Sequence, residues 1–100
     1  MKLEKMAVAL RKINKSYGLD MTDLIILDDI AQKKKHNGQV TIMEIVETSS
    51  AASPATVHAR IKRMCEGRTL HKIIDDSNLR LRMLDFGPTY YSMVEEVGQV

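Results

Sequence analysis

Between Thr41 and Gly67 the chain carries two helix starts joined by a run of small residues, and past Gly67 its apolar period changes from helical to alternating. Thr41-Ile42-Met43-Glu44 has the Thr-x-x-Glu spacing of a capping box, in which each side chain satisfies a backbone amide that would otherwise lack a partner. It predicts a short helix ending near Thr48. Thr48-Ser49-Ser50-Ala51-Ala52 is small and polar, as a tight connection between two closely approaching helices requires. Ser53-Pro54 then reads as an N-cap followed by proline at the first helical position, where its missing N–H costs nothing. The helix it opens, about Ser53 to Cys65, holds Val57, Ile61 and Met64 on one side, and Gly67 is placed to end it. Strands are predicted over Thr69 to Asp75 and Leu79 to Leu84, with turn residues Asp76-Ser77-Asn78 between them.

The flanks read as helices. Leu3, Met6, Leu10, Ile13 and Tyr17 recur at helical spacing, predicting a first helix over about Lys2 to Ser16 that Gly18 ends. Asp20 caps a second, with Asp23 near its positive end, and Leu24, Ile25, Ile26, Leu27, Ile30 and Ala31 give it a wide apolar face that suits a central position. Lys33-Lys34-Lys35 and His36-Asn37-Gly38 close it. Gly87-Pro88-Thr89 opens a last helix with Tyr90, Val94 and Val97 along one side. The expectation is one domain over 1–100, with N-terminal helices at 1–37, a helix-turn-helix at 41–66, a hairpin at 69–86 and a C-terminal helix at 88–98. The fold class is mainly α with a small β-hairpin wing, a winged helix-turn-helix.

With 44% apolar and 28% charged residues, the 100-residue chain has enough apolar surface to fold as one compact unit. No stretch is long and apolar enough to span a bilayer, and Met1-Lys2-Leu3-Glu4-Lys5 lacks the apolar core of a signal peptide, so a cytoplasmic protein is expected. The single cysteine, Cys65, forms no internal disulfide and is read as a packing residue. Net charge is only +2, yet from Ala55 to Arg82 seven Lys or Arg (Arg60, Lys62, Arg63, Arg68, Lys72, Arg80, Arg82) stand against Glu66, Asp75 and Asp76. A phosphate-facing surface needs such clustering, because neutralising phosphates releases condensed counterions.

At 100° per residue, Ala55, Thr56, Ala59, Lys62 and Arg63 lie opposite Val57, Ile61 and Met64. That outward face is small near its start and basic near its end, the arrangement a recognition helix needs to enter a major groove. Ser53 and Thr56 can reach phosphates or base edges, Ala59 a thymine methyl, and Lys62 and Arg63 guanine or backbone oxygens; His58 joins them as a candidate contact. In the hairpin, Arg80 and Arg82 alternate with Leu79, Leu81 and Met83, which puts both arginines on one side of a strand to grip phosphates or a minor groove.

These segments resemble the multiple-antibiotic-resistance-regulator (MarR) type of winged-helix transcription factor. The resemblance covers Thr41 to about Val97 and is carried by Thr41-Ile42-Met43-Glu44-Ile45-Val46-Glu47, by Ser53 through Met64 (Ser53-Pro54-Ala55-Thr56-Val57-His58-Ala59-Arg60-Ile61-Lys62-Arg63-Met64), and by the hairpin with Asp76 near its tip. It implies that Ser53, Ala55, Thr56, Ala59 and Arg63 sit at the major groove and that the wing contacts the adjacent minor groove. The sequence departs from that pattern twice. Ser77 and Asn78 follow Asp76 where the type usually has an arginine, which weighs against minor-groove insertion. The type also carries a longer C-terminal helix, so a homodimer would rest on the N-terminal helix, with Leu3, Met6, Leu10, Ile13 and Tyr17 as its seam, and on the short last helix.

His36, His58 and His71 are scattered, no Cys or His pair has zinc spacing, and no phosphate loop, nucleophile elbow or triad motif occurs, so no metal, no cofactor and no enzyme activity are expected. Asp28-Asp29 is read as a solvated helix face and Asp75-Asp76 as a turn. The function expected is a sequence-specific regulator that binds double-stranded DNA, with no effector legible in the residues. The rival readings are a winged-helix interaction module of a transcription or replication complex and a nonspecific nucleic-acid binder.

Overall fold

The computed structural model describes residues 2–98. The elements run α1 (Leu3–Tyr17), α2 (Met21–Asn37), β1 (Val40–Thr41), α3 (Ile42–Thr48), α4 (Pro54–Glu66), β2 (Leu70–Ile74), β3 (Arg82–Phe86) and α5 (Pro88–Val97). The predicted stops and starts carry this order. Gly18 and Gly38 end α1 and α2 in the left-handed conformation, at φ 68° and 79°, and return their N–H groups to Asn14 and Lys34. Asp20 and Asp23 form a full capping box on α2, and Thr41 and Glu44 form another on α3, with Glu44 N–H donating to Thr41 Oγ1 at 3.1 Å and Thr41 N–H to Glu44 Oε1 at 3.2 Å. Thr41→Ala removes one side of that box and is expected to lower stability by about 1 kcal/mol, seen as an earlier urea midpoint at unchanged slope.

Ile26 and Ile30 of α2, Ile45 of α3, and Val57, Ile61 and Met64 of α4 meet Val40, Leu70 and Leu84 of the sheet in one core. Each of these side chains is fully enclosed or nearly so, and burying one contributes roughly 1.5–3 kcal/mol. The wide apolar face of α2 does place it centrally, against α3, α4 and β1. Ala51 and Ala52, in the connection between α3 and α4, pack on the same core. That connection is tied to α2 by Ser49 Oγ, which donates to Asp29 Oδ2 at 2.7 Å. Asp29 is therefore half-buried and bonded, whereas Asp28 keeps the solvated position expected of both.

The sheet has three strands in the order β1-β3-β2, all antiparallel, with Val40 opposite Leu84 and Leu70 opposite Phe86. Three expectations are corrected here. The strand β1 was not anticipated, since two residues show no alternation. The second hairpin strand begins at Arg82 rather than Leu79, because residues 75–81 are taken up by consecutive tight turns: Ser77 N–H donates to Asp75 Oδ1 at 2.8 Å and Arg80 N–H to Asn78 Oδ1 at 3.1 Å. On α5 the buried residue is Met93, while Val94 is exposed, and Tyr90 stacks on Phe86 with ring centroids 3.9 Å apart.

Along α1, Ala9 and Ile13 are buried and Tyr17 is half-buried, its hydroxyl donating to Glu96 of α5; Lys12 pairs with the same carboxylate at 3.4 Å. The apolar seam read from the sequence thus divides. Ile13 and Tyr17 pack within the fold, and Leu3 and Met6 face outward, Leu3 being 80% exposed. Among the described residues no helix is long and apolar enough to cross a membrane.

Candidate nucleic-acid interface

The α4 helix is held by its apolar side and its cap. Ser53 Oγ accepts the Thr56 N–H at 3.4 Å and donates its own proton to Thr56 Oγ1 at 3.0 Å. Ser53 thereby spends both of its roles locally. The hydroxyl proton of Thr56 is left over, and it is the donor that this end of the helix can offer to a ligand.

Opposite the core, Ala55, Ala59, Lys62 and Arg63 are all exposed. Two methyl groups in the first turns and two cations further on give the low-bulk, then basic surface anticipated from the sequence. Glu66, also exposed, closes that face at its C-terminal end. His58 is exposed on the flank nearer the hairpin, where it lines a cavity with Ile42 and Lys72.

The other flank holds an ion cluster that the sequence did not disclose. Asp23 is completely buried, and its Oδ2 accepts three bonds: from Asp20 N–H at 3.1 Å, Arg60 Nη1 at 3.2 Å and Arg63 Nη2 at 2.9 Å. Arg60 Nη1 also donates to Asp20 Oδ2 at 2.8 Å. The Asp20 carboxyl is held below its ordinary range, first by the Arg60 bond and then by the Asp23 N–H. The carboxylates of the α2 N-terminus therefore anchor α4 by two of its arginines. Arg63 is not wholly consumed, since its side chain is 53% exposed and only one nitrogen is bonded, but its direction is set by Asp23. The only signal in the sequence was the pair of acids at a helix start, and helix capping already accounted for it.

The two hairpin arginines are not where alternation placed them. Arg80 lies in the turn, outside β3, and Arg82 curls back so that its Nη1 donates to the carbonyl oxygens of Leu79 and Leu81. They do not share one side of a strand. Arg80 belongs to the turn and Arg82 opens β3, and the exposed Leu79 lies beside them in the chain. Cys65 is half-buried against the core, and burial pushes its thiol upward, away from the reactive thiolate. Among the described residues no group of three or more His, Cys, Asp or Glu stands close enough to hold a metal ion.

A short helix, a tight turn, a second helix with an uncovered face and a three-stranded sheet ending in a hairpin define a winged helix-turn-helix. Solved structures of transcriptional regulators share this architecture. A mutant of S. aureus MepR bound to an oligodeoxyribonucleotide matches with a TM-score of 0.73 at 12% identity, over 96% of this chain and 67% of that one. The Tm0710 transcriptional regulator of Thermotoga maritima matches with a TM-score of 0.65 at 20% identity, over 96% and 66%, and the YusO protein of Bacillus subtilis with 0.65 at 19%, over 94% and 62%. No family model matches the sequence, and no curated protein does. The likeness to the MarR type is thus one of fold, and the chain spans about two thirds of the length of the structures it matches.

Proposed function

We propose that this protein is a cytoplasmic, sequence-specific regulator that binds double-stranded DNA with the outward face of α4 in the major groove, and that it acts by occupying an operator or promoter rather than by catalysis. The uncovered Ala55–Ala59 surface carries this reading. A helix can approach base edges only where its side chains are short, and an ordinary solvated helix face has no reason to be free of bulk there. In this reading Ala55 and Ala59 touch base edges or thymine methyls, Thr56 donates its remaining proton to a phosphate, Ser53 holds Thr56 in place, and Lys62 and Arg63 reach guanine or backbone oxygens. His58, Arg80 and Arg82 act from the hairpin side as backbone contacts. A homodimer would bring two such faces to one site, and the outward-facing Leu3 and Met6 of α1 are the apolar surface available for it. The likeness to a MepR mutant determined with an oligodeoxyribonucleotide supports the reading at the level of fold.

Duplexes selected from a random pool, titrated alongside unselected ones at several salt concentrations, test it. A regulator is expected to prefer selected DNA by ~10³-fold or more, with affinity falling steeply as salt rises. A ratio near unity would make the protein a nonspecific binder, and absence of binding at low salt would leave the interaction-module reading.

A further inference from the structure

Burying a carboxylate is costly unless the group is paired and hydrogen-bonded, so the presence of an acid at position 23 needs a reason. Asp23 is completely enclosed, and its Oδ1 has no hydrogen-bond partner among the described residues. Its duty as acceptor for the Asp20 N–H could be met by a neutral amide oxygen, as glutamine does in a capping box. Arg60 does not depend on it either, since Asp20 accepts Arg60 Nη1 on both carboxylate oxygens, at 2.9 and 2.8 Å. Arg63 does depend on it. The single ion pair of Arg63 among the described residues is Nη2 to Asp23 Oδ2 at 2.9 Å.

The result is a guanidinium held at one corner. Nη2 is fixed from inside the fold, while Nη1 and Nε make no bond among the described residues and the side chain is 53% exposed. An unanchored arginine on a helix surface samples many rotamers, and it loses that freedom when it is ordered against a ligand. A guanine edge is met by two donors at once, so the direction of the guanidinium matters as well as its charge. We infer that Asp23 is a positioning residue for sequence reading: from the start of α2 it fixes Arg63 of α4 before binding, so that the free donors of Arg63 meet a base edge. The inference rests on the duplex-binding reading above and adds to it a buried residue that touches no DNA. Charge and positioning act with opposite signs here. Removing an anion from behind a DNA-binding face raises the attraction for any duplex, whereas loss of positioning weakens the selected duplex alone.

The test compares the full chain with Asp23→Asn, whose uncharged amide holds an arginine less firmly, with Arg63→Gln, and with the two changes combined. Asp28→Asn, which removes an exposed anion from the same helix, is the control. Fluorescence anisotropy reads affinity for selected and random duplexes at fixed salt, and thermal melts establish that each variant is folded. Asp23→Asn is expected to weaken the selected duplex by roughly 3- to 10-fold, the range that ordering one long side chain covers, and to leave the random duplex bound as tightly as before or more so. In the Arg63→Gln background the same change should leave the ratio of the two affinities where it was, and Asp28→Asn should not alter that ratio. Should Asp23→Asn fail to fold, NMR of the unaltered protein without DNA decides: the Nη protons of Arg63 should be separately resolved by hindered rotation, while those of the exposed Arg11 are averaged. Suppose the unaltered protein prefers the selected duplex. The positioning role is then refuted, and the groove-reading proposal stands, if Asp23→Asn keeps the full ratio, weakens both duplexes equally, or acts as strongly without Arg63; averaged Arg63 Nη protons refute it too. If the unaltered protein binds no duplex, or binds both alike, the sequence-reading proposal fails and this inference falls with it.

Discussion

Replacing Gly87 by alanine is expected to lower the unfolding free energy by about 3 kcal/mol, near the upper end for an overpacked site. A Cβ at this position would lie 2.2 Å from the carbonyl oxygen of Arg68 and 2.9 Å from its carbon, both backbone atoms that no rotamer change can move aside. The opposing segment is itself fixed. Arg68 takes the left-handed conformation at φ 63°, and its carbonyl accepts the Thr89 N–H at 3.1 Å. Gly87 N–H donates to Thr69 O at 2.9 Å and Thr89 Oγ1 to Gly67 O at 3.0 Å. Three hydrogen bonds, from Gly87 and Thr89 to Gly67, Arg68 and Thr69, thus lock the α4–β2 turn against the start of α5. For a domain of this size the loss corresponds to a fall of about 15 °C in melting temperature. A variant melting within a few degrees of the parent would show that the junction yields, and that the hairpin is not rigidly set against α4.

Asp23→Ala is expected to cost about 3 kcal/mol, the lower end of what removing one partner of a buried ion pair usually costs. The value is held down by exposure of the arginines, whose side chains are 25% (Arg60) and 53% (Arg63) accessible and can regain water. Part of the loss is the cap, because Asp23 accepts the Asp20 N–H. Asp23→Asn keeps an acceptor for that N–H and should cost less. The pH dependence has a definite sign. Asp20 titrates below its ordinary value in the folded protein, chiefly through Arg60, so its contribution to stability is complete above the unfolded carboxyl value near 4 and is lost as pH falls below that through the folded value. Denaturant titrations of the parent and Arg60→Gln should therefore differ at pH 6 and converge toward pH 2–3. A gap that stays constant with pH would contradict the cluster.

What the residues disclosed in advance was local. The Thr41–Glu44 capping box, the Asp20 cap, the Ser53-Pro54 start and the glycine stops each operate within a turn of chain, and each appears at the position read for it, to within a residue or two. The outward face of α4 was legible for the same reason, since helical geometry alone decides which residues oppose Val57, Ile61 and Met64. What escaped was decided between segments. Asp23 lies 40 positions from Arg63 in the chain, and only the packing of α2 on α4 brings them together. Thr41 and Val40 become a strand because β3 passes beside them, and nothing in two residues announces it. Arg80 and Arg82 were misplaced because an alternating pattern cannot be told from a turn with polar and apolar residues interleaved.

The exposed methyl of Ala59 stands at the middle of the outward face of α4. Ala59→Glu places a flexible anion there without touching the core, and at a surface helical position it should change stability by no more than a few tenths of a kcal/mol. Measured as affinity for a selected duplex at fixed salt, the variant is expected to bind about 100-fold or more weakly, because the carboxylate would be forced against base edges and phosphates. A folded Ala59→Glu protein that holds the same duplex as tightly as the parent would show that this face of α4 does not meet DNA.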